Sequence, residues 1–168
     1  RPLLSPCNAT AMDAIANEVA TRLDQGFRAF KVKVGKDVDD DLARVAAIQQ
    51  AAAGRATLRL DANRAYDRAQ GIRFASSLDP TGIALFEQPC DSEDWEANAA
   101  VAAVSKVPLM LDEPICDLPD IDRAATIPGV GLCKLKLKRF GGLQRLKTAL
   151  DRVRAKGMTP VLGDGLGI

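Results

Sequence analysis

The sequence predicts an α/β domain, a partial (β/α) barrel of the eight-unit (TIM-like) type with six to seven strand–helix units. Short apolar runs alternate with longer amphipathic stretches at a period of about 25 to 30 residues, which is the length of a strand, a turn, a helix and a return loop. Three of those runs end in a carboxylate: Leu58-Arg59-Leu60 leads into Asp61, Leu85-Phe86 into Glu87 and Met110-Leu111 into Asp112, at intervals of 26 and 25 residues. The same beat reaches back 28 residues to Lys33 and forward 24 to Lys136. Equivalent positions in successive units therefore carry the charges, and connections this short force parallel strands with right-handed crossovers.

Taken in order, Leu3 and Leu4 start a first strand that Pro6 breaks. Thr10 followed by Asp13 resembles a helix start, and Met12, Ile15, Val19 and Leu23 recur at helical spacing until Gly26. From Arg28 to Val34 the chain alternates, with Phe30, Val32 and Val34 facing the helices and Lys31 and Lys33 facing the lumen. Asp37 opens a helix with Leu42, Val45 and Ile48 inside, ending near Gly54, and the strand to Asp61 follows. Asp67 starts the next helix (Ile72, Ala75, Leu78), which Pro80 stops before the strand to Glu87. Ser92 is the expected cap of a fourth helix, with Trp95 on the barrel exterior, and Pro108 to Leu111 delivers Asp112. Asp117 begins a short helix containing Pro119. The strand Val130 to Leu137 sets Lys134 and Lys136 on one face and Cys133, Leu135 and Leu137 on the other. Gly141-Gly142 leads into a last helix (Leu143, Leu146, Leu150, Val153) ending at Gly157, and Thr159 to Leu162 is a final strand before Gly163-Asp164-Gly165.

With 47% hydrophobic residues and a formal charge of +1, the 168 residues suit one globular domain and give no electrostatic footprint for nucleic acid. No run approaches the apolar length of a membrane span, and no targeting signal is visible, so the expected location is the cytoplasm. Cys7, Cys90, Cys116 and Cys133 lack the close spacing of zinc or redox pairs and read as reduced thiols. The absence of histidine removes His-based triads, ligands and bases, leaving acid–base work to lysine and carboxylate. A closed barrel of this type takes about 250 residues, so the expectation is a piece of a longer barrel.

In a parallel barrel the C-terminal ends of the strands open onto one rim, where Asp61, Glu87 and Asp112 would converge. Carboxylates that close repel unless a cation compensates, and three oxygen ligands suit a hard ion such as Mg²⁺, with Mn²⁺ also possible. Lysines on a buried face are costly unless paired. Arg59 and Lys134, one pleat deeper, read as members of a structural salt-bridge network. Lys33 and Lys136 lie at rim level, where a divalent metal and neighbouring cations favour the free amine of a lysine and make it a base. Rival readings are a Schiff-base aldolase using Lys136, a phosphate-binding barrel using the Gly141-Gly142 or Gly163-Asp164-Gly165 amides, and a truncated barrel without activity.

The series Lys31-x-Lys33, Asp61-Ala62-Asn63, Glu87-Gln88-Pro89, Asp112-Glu113-Pro114, then Lys136 before Gly141-Gly142, resembles the barrel domain of the enolase superfamily. Within it the likeness is to the muconate-lactonizing enzyme subgroup, in motif order and nearly in spacing from about residue 26 to 142. The resemblance implies Asp61, Glu87 and Asp112 as Mg²⁺ ligands, Lys33 as a general base or acid, Lys136 as the acid or base opposite, and Lys31 as an electrostatic companion, with Asn63 and Glu113 in supporting or substrate-binding places and Asp164 as either a substrate contact or a helix cap. It also implies abstraction of the proton α to a carboxylate, giving a metal-stabilised enediolate. The outcomes to expect are racemisation, epimerisation or cycloisomerisation of a small-molecule carboxylate, or else a dehydratase or o-succinylbenzoate-synthase-like elimination. Two departures stand out, since neither the α+β capping domain nor the last barrel unit is present. A homo-oligomer is expected of the full-length protein.

Overall fold

The structure is a computed structural model that describes residues 4–163. Seven strands form one sheet in the order of the sequence, every neighbouring pair parallel. They are β1 (Leu4–Cys7), β2 (Ala29–Lys33), β3 (Thr57–Asp61), β4 (Ile83–Glu87), β5 (Leu109–Leu111), β6 (Val130–Lys136) and β7 (Thr159–Gly163). Between them run α1 (Met12–Asp24), α2 (Val38–Ala52), α3 (Arg68–Ser77), α4 (Trp95–Val104), α5 (Leu118–Ala124), the short α6 (Leu137–Phe140) and α7 (Leu143–Ala155). This is the partial (β/α) barrel the repeat predicts, with β1 and β7 as the two edges of the sheet.

The alternation along each strand sorts the core into two zones. Phe30, Val32, Leu58, Leu60, Phe86, Leu109, Leu111, Cys133 and Leu135 are buried in one continuous apolar cluster with Ile15, Val45, Ile48, Phe74, Val101 and Val153 of the helices. Leu85 and Met110 are equally buried but belong to the other face, beneath the charged rim. Two register shifts, between Leu58 and Arg59 and between Leu109 and Met110, adjust the strands around the curve. Gly163 faces the same inner space, because a Cβ there would run into the Lys134 side chain.

Caps account for most helix starts. Asp37 Oδ1 accepts from the amides of Asp39 and Asp40, and Asp67 with Gln70, like Asp117 with Asp120, forms a reciprocal capping box. Elsewhere the structure corrects the sequence reading. β1 runs through Pro6, which an edge strand tolerates because its amide side needs no partner. Thr10 does not cap α1, whose N-cap Ala11 makes no side-chain bond. Asp94, not Ser92, caps α4, because the chain first makes tight turns in which Asp94 N donates to Asp91 O and Trp95 N to Glu93 O. Leu137 leaves the strand to start α6 and is exposed, as is Leu143 at the start of α7. Trp95 packs partly buried against the outer core, under the Arg123 guanidinium at 4.4 Å from its ring. Leu3, Asp164 and Gly165, and the side chain of Met12, lie outside what the structure describes.

Candidate active site

Asp61, Glu87 and Asp112 sit at adjacent strand ends and all three are buried. Lys33 pairs in register with Asp61, and Asp61 with Glu87. Glu87 pairs with Met110, so Asp112 stands one pleat beyond and enters from the loop after β5. The acids are threaded on lysines. Lys33 Nζ is 2.6 Å from Asp61 Oδ2, Lys31 Nζ lies 2.7 Å from Asp61 Oδ2 and 3.0 Å from Glu87 Oε2, Lys134 Nζ lies 2.5 Å from Glu87 Oε1 and 3.5 Å from Asp112 Oδ2, and Lys136 Nζ is 2.8 Å from Asp112 Oδ2. The result is a chain of ion pairs running from β2 to β6, with Glu87 at its middle.

Burial alone would push the Asp61 and Asp112 carboxyls up. The hydrogen bonds and charges of Lys31 and Lys33 on one, and of Lys136, Lys134 and Arg139 on the other, more than offset it and hold both below the ordinary carboxylate range. For Lys31, burial pulls down while the Glu87 charge and the contacts with Asp61 pull up; the net is upward, so Lys31 stays an ammonium. That suits an electrostatic companion rather than a base.

The supporting residues divide. Asn63 Oδ1 accepts from Lys33 Nζ while the Asn63 backbone N–H donates to Asp61 Oδ1 at 2.9 Å. Glu113 turns toward Arg64, 3.7 Å away, and its Oε2 is buried without a hydrogen bond. Arg59, expected in the salt-bridge network, forms no ion pair among the described residues and its Nε is buried without a partner; Lys134 does belong to the network. The lumen position was right for Arg59, but Lys31 and Lys134 already occupy the carboxylates it would need.

Three contributors were missed by sequence reasoning. Arg139 of α6 donates NH1 to Asp112 Oδ1 at 2.9 Å and also to its carbonyl oxygen. Gln88, fully buried with φ of 36°, accepts from the Asp112 amide at 2.9 Å and donates to Cys90 O at 3.0 Å, tying the loop after β4 to the end of β5. Asp41, buried in α2, accepts on Oδ2 from Gly35 N (2.7 Å), Lys36 N (3.0 Å) and the Tyr66 hydroxyl (2.8 Å). It thereby clamps the loop that follows Lys33 to the loop that follows Asp61. For Gln88, its place inside Glu-Gln-Pro was a signal; for the other two, nothing in the spacing points inward.

Whether the acids suit a divalent metal can be judged from their donors. An all-carboxylate set on one rim is hard-ion chemistry. In this arrangement the ammonium groups of Lys31 and Lys134 stand between the carboxylates, and no group of three metal-capable side chains is gathered among the described residues. The donor set fits the ion, and Lys31 and Lys134 brace its members from below.

Known proteins share this frame. The sequence matches the family described as Enolase C-terminal domain-like over residues 14–168. It is 29% identical over 164 residues to the chloromuconate cycloisomerase of Cupriavidus pinatubonensis, covering 92% of this chain and 44% of that protein. To a hydrophobic dipeptide epimerase of Citrifermentans bemidjiense it is 33% identical over 155 residues, covering 89% of this chain and 41% of the relative. Among solved structures, muconate cycloisomerase from Pseudomonas fluorescens superposes with a TM-score of 0.88 at 30% identity, over 97% of this chain and 46% of that one. The chain thus spans less than half the length of the relatives it matches. With the barrel strands, the motif order and the sequence match in agreement, the chain belongs to the enolase C-terminal domain-like family, among relatives that are muconate cycloisomerases and epimerases.

Proposed function

We propose that a protein built on this chain abstracts the proton α to a carboxylate and returns a proton to the resulting enediolate, as a racemase, epimerase or cycloisomerase of a small carboxylate. The observation that carries this is the placement of Lys33 and Lys136 at the two ends of one row of buried acids, each 2.6–2.8 Å from its terminal carboxylate. A substrate held over the row meets an amine from either side. Five cations, Lys31, Lys33, Lys134, Lys136 and Arg139, face three carboxylates, so the rim attracts an anionic substrate. Asp61, Glu87 and Asp112 would hold Mg²⁺ or Mn²⁺, which supplies neutralisation of the charge that builds on the substrate carboxylate. Lys31 and Lys134 fix the acids, and Gln88 and Arg139 fix Asp112. A Schiff-base reading is disfavoured by the ion pair that occupies Lys136 Nζ. The activities of the relatives support the isomerase class. The same reading places the protein in the cytoplasm, in keeping with its four free thiols.

The test is NMR in D₂O with Mg²⁺, using the native full-length polypeptide and a panel of amino-acid derivatives and acid sugars. The α-proton should exchange, EDTA should stop the exchange, and Glu87→Gln should abolish Mg²⁺ binding by calorimetry. Exchange that survives EDTA, or equal Mg²⁺ binding by the variant, would sink the metal role.

A further inference from the structure

Asp112 stands one residue past the end of β5, where the strand ladder has stopped, yet it is buried and its amide needs an acceptor. A side chain supplies it, since Gln88 Oε1, at 2.9 Å, takes the place of the next strand bond. Gln88 is fully buried, so protein groups alone decide how its amide is turned. Its Nε2 donates to Cys90 O at 3.0 Å and to Asn98 Oδ1 at a longer 3.5 Å. Asn98, on α4 and only 1% exposed, is in turn oriented from its far side. Its Nδ2 donates to Asp91 O and Asp94 O, both at 2.8 Å, which leaves Oδ1 to accept from Gln88 and from the Cys90 N–H at 3.2 Å. All the hydrogen-bonding places of the Asn98 amide are filled. Turning either side-chain amide over would set its oxygen against two other oxygens, and for Gln88 would also set an NH₂ against the Asp112 N–H.

We infer that Asn98 is a positioning residue for Asp112, acting through Gln88. It governs both acceptors that orient Gln88, one being its own Oδ1 and the other Cys90, whose N–H it holds. Donation runs one way along the row, from the Asp112 N–H to Gln88, from Gln88 to Asn98, and from Asn98 to the carbonyls of Asp91 and Asp94 just ahead of α4. A helix on the outside of the barrel thus sets backbone at the rim, and a buried polar network with every member satisfied rigidifies what it holds. A brace for the start of α4 would need only the two bonds to Asp91 and Asp94; the two that Oδ1 accepts face the strand ends instead. Lys134, Lys136 and Arg139 grip the Asp112 carboxylate, whereas the relay fixes the backbone from which that side chain starts. Without the Asn98 amide, Gln88 is free to turn, the Asp112 N–H loses its acceptor, and the carboxylate shifts relative to Asp61 and Glu87. The consequence for Mg²⁺ rests on the proposed function; the positioning of Asp112 does not.

The experiment compares three variants of the native full-length polypeptide. Asn98→Leu keeps the volume and removes every bond; Asn98→Asp keeps an oxygen toward Gln88 and Cys90 but, ionised or protonated, gives up at least one bond to Asp91 or Asp94. Val101→Ala loosens the packing of the same helix at a fully buried position and leaves the relay alone. Each is followed by Mg²⁺ calorimetry, by hydrogen exchange of the Asp112 amide in NMR without metal, and by the midpoint of denaturant unfolding. Asn98→Leu should weaken Mg²⁺ about 10-fold, the lower end of what partners standing behind a ligand contribute, and should speed Asp112 exchange at least as much. Asn98→Asp should hold Mg²⁺ affinity within about twofold of native while its midpoint falls, and Val101→Ala should lower the midpoint alone. Asn98→Leu with native Asp112 exchange and native Mg²⁺ affinity would make Asn98 a brace of α4 and overturn its positioning role, as would a Val101→Ala that matched it in both. Native protein that binds no Mg²⁺, with Asp112 exchange still released by Asn98→Leu, would keep the positioning and overturn the metal role. Should Asn98→Leu fail to fold, the native protein decides: the Gln88 side-chain amide protons should exchange about 100-fold more slowly than those of Gln144, exposed on α7, and equal rates would overturn the relay.

Discussion

β2 and β6 carry the same pattern, Lys-x-Lys, and use it unequally. In each, the inner lysine bridges two carboxylates, Lys31 between Asp61 and Glu87, Lys134 between Glu87 and Asp112, so the deeper layer is symmetric about Glu87. The outer layer is not. Lys33 is 54% exposed and is held by Asp61 and Asn63, whereas Lys136 is 14% exposed and shares Asp112 with Arg139. Exposed ion pairs hold a side chain weakly, enclosed ones strongly. Lys33 is therefore free to move to a substrate and depends on the loop behind it for its position, while Lys136 is fixed where it stands.

The comparison breaks most visibly in the lysines themselves. Lys33→Ala and Lys136→Ala should each lower turnover by about 10² to 10⁴. For a racemase or epimerase, each variant should still exchange the α-proton of one stereoisomer with deuterium, and the two should spare opposite isomers, since orientation limits the transfer. A cycloisomerase predicts that one variant loses all exchange. If both variants exchanged both isomers, neither lysine would be the base.

A smaller break concerns the turns that follow the two strands. Gly35 after β2 and Gly141 after α6 both have positive φ, 112° and 67°. A Cβ on Gly35 would lie 2.6 Å from Ala65 Cβ and 3.0 Å from Ala62 O, while one on Gly141 would meet nothing within 4 Å. Gly35→Ala should cost about 2–4 kcal/mol from strain and overpacking together, and Gly141→Ala about 1 kcal/mol from strain alone. Denaturant unfolding reads both; equal costs would mean that the loop after β2 yields as easily as the loop after α6. Tyr66→Phe should follow at about 1.5–3 kcal/mol, because it removes the one side-chain hydrogen-bond donor to the buried Asp41 carboxylate among the described residues. It should slow exchange at Lys33 and spare Lys136. A loss of stability with both faces equally active would make the clamp purely structural.

What the sequence disclosed and what it hid follow one physical division. Strand alternation and the 25-residue beat are local and periodic, so the parallel strands, the lumen lysines and the three acids are legible in the chain itself. Residues that reach the site from helices have no such register. Arg139 looked like one more polar residue before Gly141, because the alternation of β6 runs on into Leu137 while the backbone has already turned into α6. Asp41 and Tyr66 are 25 residues apart and meet only where the first turn of α2 packs against the loop after β3. Ser92 and Asp94 are equally good caps by chemistry, and a tight turn at Asp91 decides between them.

The finest separation of the two sides is in pH dependence. Asp61 and Asp112, one at each end of the row, both have carboxyls held below the ordinary 3.8. Such a group contributes stability that is complete above its unfolded value and is lost as pH falls through the native one, so the acid limb should begin below about pH 4 and draw on both ends. On the alkaline side the β2 end has more to lose. Burial, with the Glu18 charge and hydrogen bond, pushes the Cys7 thiol next to β2 up from 9.0 to about 12, and burial alone does the same for Cys133 in β6. A raised thiol contributes stability present below pH 9 and lost as pH rises from there toward 12. Lys31, raised above 10.5, contributes fully up to that pH and fades only beyond it, so the thiols should yield first. Stability from chemical denaturation should then be flat between about pH 5 and 9, and Cys7→Ala should remove about 1.4 kcal/mol per pH unit from the slope above pH 9 without touching the acid limb. Glu18→Gln should advance ionisation of Cys7 toward lower pH and leave Cys133 where it is, as followed by thiolate absorbance. Were Cys7→Ala to leave the alkaline slope unchanged, the thiol would be ionising inside the folded protein, and the β2 end would be more open to solvent than the Glu18 contact implies.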